Sequence, residues 1–88
     1  MDNVEDVVNE LGVEDLGHYD GDMFLVELNS SDEYSSLYSE ISTKFNTETS
    51  MSSFEDSRSV TVFTNDSIEI TATADYDNDL YSILKGRK

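Results

Sequence analysis

This 88-residue chain has no cysteine and, before Lys44, no lysine or arginine. The first absence removes disulfides, thiolate metal sites and a cysteine nucleophile. The second is more unusual, because twelve acids from Asp2 to Glu40 lie within those first 43 residues and no base offsets them. That segment therefore carries −12 of the formal net charge of −15. The last fourteen residues, by contrast, balance Asp75, Asp77 and Asp79 against Lys85, Arg87 and Lys88. Solubility is served by interspersed signs and a net charge of roughly 2–8 in a small domain, so a localised excess asks for a further reason.

Long apolar runs are missing as well: none approaches the ~18 residues of a membrane span, and the acidic start Met1-Asp2-Asn3-Val4-Glu5-Asp6 lacks the basic region of a secretory signal. A soluble, cytoplasmic protein is expected. Catalytic signatures are equally scarce. The single histidine, His18, has neither a nucleophile elbow nor a glycine-rich oxyanion loop to work with, and no phosphate-binding glycine loop occurs. The expectation is a non-enzymatic protein without cofactors. A hydrophobic share of 36 % is low but above that of a chain unable to collapse, so one small domain of modest stability at low salt is expected.

Within that domain, Val4, Val7, Val8 and Leu11 mark one face of a helix, with Asp2 as cap, Gly12 at the left-handed C-terminal position and Val13 folding back. A turn-rich stretch over 14–22 leads to a strand at 23–28, with Phe24, Val26 and Leu28 on one face. Ser30 and Glu33 form a capping box for a second helix over about 31–45, whose core face is Tyr34, Leu37, Tyr38, Ile41 and Phe45. Residues 46–58 read as a flexible, serine-rich loop, with room for a short strand, in which Met51 and Phe54 can anchor. Val60 and Val62, then Ile68, Ile70 and Ala72, alternate with polar residues about Asn65-Asp66 and predict a hairpin. Leu80, Ile83 and Leu84 suggest a short third helix with basic residues at its C-terminal end. The expected fold is α+β in the order α-β-α-β-β-α, a three-stranded, mainly antiparallel sheet packed with helices.

On the first helix Asp2, Asp6 and Glu10 stand at i, i+4 spacing with Glu5 beside them and Glu14 continuing the row. Each like-charge pair costs roughly 0.2–0.5 kcal/mol, and no base lies nearby to offset it. A row of carboxylates without bases suits a partner lined with lysine and arginine, whereas direct contact with nucleic acid or an anionic membrane is disfavoured. Candidate contacts are Asp2, Glu5, Asp6, Glu10, Glu14, Asp15, Asp20, Asp22, Asp32, Glu33 and Glu40. Tyr19 and Tyr76, aromatics among carboxylates, are placed to stack on an incoming arginine. Asp75, Asp77 and Asp79 match only the opening of a calcium loop, because Leu80 and Gly86 stand where its glycine and bidentate glutamate belong.

In size, charge and its mixture of short helices with a small sheet, the chain resembles the small acidic inhibitors of nucleic-acid enzymes made by phages and mobile elements. Anti-CRISPR proteins, antirestriction DNA mimics and uracil-DNA glycosylase inhibitors belong to that group. The resemblance covers composition along the whole chain and no motif, so it implies a class of function and no residue roles: occupation of the basic cleft of a host nuclease, CRISPR effector or restriction enzyme. Two other readings fit the same composition. One is an immunity protein or adaptor on a basic protein surface, and the other is an ordinary small domain adapted to high salt.

Overall fold

In the computed structural model, which describes residues 4–87 without the side chains of residues 54, 55 and 85–87, strand is the dominant element. Helix α1 (Val4–Leu11) is followed by a 3-10 turn (Glu14–Leu16), the hairpin β1 (Gly17–Asp20) and β2 (Met23–Leu28), and helix α2 (Ser31–Lys44). Four strands then follow as a meander: β3 (Glu48–Glu55), β4 (Arg58–Thr64), β5 (Ile68–Asp75) and β6 (Leu80–Arg87). All six join one sheet in the order β1-β2-β6-β5-β4-β3, and every neighbouring pair is antiparallel. The expected three-stranded sheet and order α-β-α-β-β-α are therefore wrong. Three segments read as turn, loop and helix are β1, β3 and β6.

The two helices form as their sequences dictate. Val4, Val7, Val8 and Leu11 are all buried. Gly12, at φ +68°, ends α1 by donating to the carbonyls of Val8 and Asn9, while Val13 N–H reaches the Val8 carbonyl at 3.3 Å and its side chain enters the core. This is the left-handed helix end that glycine adopts without strain. Ser30 caps α2, its hydroxyl accepting from the Glu33 N–H at 3.4 Å. Lys44, the chain's first base, donates to the Glu10 carbonyl at 2.9 Å and so links the ends of both helices.

Strand β6 fooled a helical reading because Leu80, Ile83 and Leu84 are spaced like a helix face. In the fold Tyr81 and Ile83 point into the core, Leu84 is half-buried on the opposite face and Leu80 is exposed. The hydrogen bonds of both neighbours, β2 and β5, override local preference. Asp79 makes the turn before it at φ 51°, a conformation that aspartate tolerates. Strand β3 shows no alternation because residues 48–53 are exposed on both faces at the sheet edge.

One face of the sheet holds the core. Phe24, Val26, Leu28, Phe63, Ile68, Ile70, Ala72, Ala74, Tyr81 and Ile83 join the apolar sides of α1 and α2 there. The other face, with Leu25, Val60, Val62, Thr71, Thr73 and Leu84, is half-buried and lies outside that core. The fold thus puts both helices, with their outward carboxylates, on one side. No helix among the described residues is long and apolar enough to cross a membrane.

Candidate acidic interface

Burial of valine and leucine on one side of α1 leaves Glu5, Asp6 and Glu10 exposed on the other. The same logic on α2, with Tyr34, Leu37 and Ile41 turned inward, exposes Asp32, Glu33 and Glu40. Four of these acids have a local reason to be acidic. Glu5, Asp6, Asp32 and Glu33 occupy first helical turns, where the dipole favours negative charge. Glu10 lies at the opposite, unfavourable end of α1, Glu40 sits in the later part of α2, and Glu14 and Asp15 open a 3-10 helix of only three residues, too short for a sizeable dipole. The dipole of an α-helix accounts for none of these four.

Two hollows collect part of the set. Glu5 and Glu14 face a hollow of about 550 Å³ together with Asn9, His18, Tyr19 and Phe24. Tyr19, 53 % exposed, rests edge-on against Phe24 with ring centres 4.9 Å apart, which fixes an aromatic wall beside the two carboxylates. Asp32, Glu33 and Glu40 rim a second hollow of about 310 Å³, floored by Leu11, Val13, Leu28 and Leu37. Leu16, 45 % exposed, stands at its side. The 3-10 turn is shared: Glu14 belongs to the first hollow and Leu16 to the second.

The remaining candidates are not gathered into these hollows. Asp6, Glu10 and Asp15 are exposed on the same elements, and Asp20 and Asp22 stand at the end of the β1–β2 hairpin. Asp2 lies outside the described residues. Tyr76 lines neither acidic hollow; it lies in the β5–β6 turn, where its ring packs edge-on against Tyr81 at 5.7 Å. Of the aspartates compared with a calcium loop, Asp75 is engaged by Arg58 Nε at 3.8 Å and by Asn78 Nδ2 at 2.9 Å, and Asp79 accepts from the Tyr81 hydroxyl at 3.4 Å. No group of three metal-ligating side chains occurs among the described residues.

Sequence reasoning missed a third hollow, of about 410 Å³, on the other flank of α2. Tyr34, Tyr38 and Tyr76 line it with Met51 of β3. The helical spacing of Tyr34 and Tyr38 was legible as a core face, but their meeting with Met51 and Tyr76 depends on β3 and the β5–β6 turn. Burial, with Tyr76 and Tyr38 nearby, pushes the Tyr34 hydroxyl up to about 12. Tyr81 is also raised, first by burial and then by the Asp79 carboxylate.

No protein-family model, curated protein or solved structure matches this chain.

Proposed function

We propose that this chain is a non-enzymatic inhibitor that acts as an acidic nucleic-acid mimic, occupying the basic DNA- or RNA-binding cleft of a host defence nuclease or effector. The observation that carries the reading is the placement of exposed carboxylates that no α-helix N-terminus accounts for, Glu10, Glu14, Asp15 and Glu40, on α1, the 3-10 turn and α2. Charge held on short helices anchored in a core is fixed in space, as phosphates on a duplex are. Such a surface steers a cationic cleft towards it from a distance, and the association should weaken as salt rises.

Affinity capture from candidate host lysates followed by competition with duplex DNA or RNA tests the reading. The captured protein should bind nucleic acid, and nucleic acid should release it. A second reading, an immunity protein or adaptor that leaves nucleic acid in place, is favoured by the leucine-floored hollow beside Asp32, Glu33 and Glu40. Phosphate imitation needs no apolar floor. A captured partner that keeps its nucleic acid would select this second reading.

A further inference from the structure

The tyrosine-lined hollow between α2 and the β3–β4 hairpin differs from the acidic ones in kind. Its exposed surfaces are aromatic and thioether: Tyr76 is 51 % exposed and Met51 63 % exposed. The rings are nevertheless held in place. Tyr38 packs edge-on to the buried Phe63 at 4.9 Å, and its hydroxyl reaches Thr61 Oγ1 at 3.5 Å. Tyr76 packs on Tyr81, Tyr81 on Tyr34 at 5.2 Å, and Tyr34 on Tyr38 at 6.1 Å, which makes one connected chain of rings. The backbone of Tyr76 is tied to the β3–β4 turn through its N–H to the Ser57 carbonyl, at 2.8 Å. Rigid tyrosines lose little conformational entropy on binding and recur at the energetic centres of interfaces.

We propose that this hollow is an arginine-stacking site, which takes the guanidinium of an arginine from the basic partner against Tyr38 and Tyr76, with Met51 along its aliphatic stem. The inference rests on the proposed function and deepens it by naming which basic side chain the partner must present. Three features select that occupant. None of the described side chains that line the hollow is charged, and the chain's net charge of −15 draws in cations and repels the phosphates of a nucleic acid that would otherwise stack its bases there. Ring faces attract a cation, and the planar, weakly hydrated guanidinium stacks on them better than the strongly hydrated ammonium of lysine does. Ser39 and Ser59 add hydroxyl oxygens to the lining, which suit the five N–H donors of arginine.

The five tyrosines and the absence of tryptophan make intrinsic tyrosine fluorescence a direct reporter. The full chain is titrated with hexa-arginine and hexa-lysine peptides, equal in charge, at low salt and at about 0.3 M NaCl. Both peptides should bind at low salt, and at high salt hexa-arginine should hold at least about fivefold tighter than hexa-lysine. Tyr76→Leu should erase that preference while leaving hexa-lysine affinity unchanged. Met51→Ala, at an exposed edge-strand position, should reduce hexa-arginine affinity about twofold and serve as a second, structurally mild variant. Equal affinity for the two peptides, or a preference that survives Tyr76→Leu, overturns the site while leaving the acidic decoy standing. If neither peptide binds at low salt, the decoy reading falls with it.

Discussion

At the scale of single residues, burial and charge set different demands on similar side chains. Tyr34 is 4 % exposed, and its hydroxyl holds its proton up to about pH 12, against 10.0 for a free tyrosine. The folded state therefore binds this proton more tightly than the unfolded chain does. Its contribution to stability is intact below pH 10 and is lost as pH rises towards 12, by at most about 3 kcal/mol. Alkaline denaturation followed by circular dichroism should show the loss, and Tyr34→Phe should flatten the stability profile over that interval. An unchanged profile would mean that burial does not hold the proton. Phe63 makes the contrasting case. It is fully buried on β4 and touches Tyr38, so Phe63→Ala should cost about 3–5 kcal/mol in denaturant titration, enough to unfold much of a small domain.

At the scale of elements, legibility followed local cause. The glycine end of α1, the serine cap of α2, the alternation in β2 and the β4–β5 hairpin are each written in a few adjacent residues. The structure has all four. The hairpin turn is wider than two residues, with Asn65 Oδ1 accepting from the N–H groups of Ser67 and Ile68 at 2.8 and 3.0 Å. Strands β1, β3 and β6 were not legible, because their pairing depends on partners elsewhere in the chain. The first two are exposed edges without alternation, and the third is a central strand whose outward leucines imitate a helix. Edge strand β1 also carries a constraint that composition hides. A Cβ at Gly17 would run into the Leu25 carbonyl across the β1–β2 ladder, so Gly17→Ala should splay that hairpin. Hydrogen exchange should rise at 17–20 and 23–26 while α2 keeps its protection.

At the scale of the whole molecule, net charge opposes the fold that positions it. Like charges on the helix side repel at low ionic strength, and screening within a Debye length of about 10 Å at 0.1 M relieves them. The melting temperature should rise by about 5 °C between 10 and 500 mM NaCl from an already folded state in dilute buffer. A chain unfolded in dilute buffer and folded only in molar salt would instead mark a domain adapted to high salt. The acidic bias of the candidate interface was readable from the first 43 residues. Its arrangement was not, because the meeting of Glu5 with Glu14 around one hollow, and of Leu16 with the α2 acids around the other, depends on where the 3-10 turn packs. The most direct measurement compares binding of the captured partner to the native chain, to the Glu10→Lys, Glu14→Lys, Glu40→Lys triple variant and to Asp77→Lys, each with and without duplex DNA. The triple variant should lose about 100-fold or more in affinity, Asp77→Lys should stay within about threefold, and DNA should displace the native chain. A ternary complex of partner, DNA and native chain at low salt, or a triple variant that binds normally, would contradict the account.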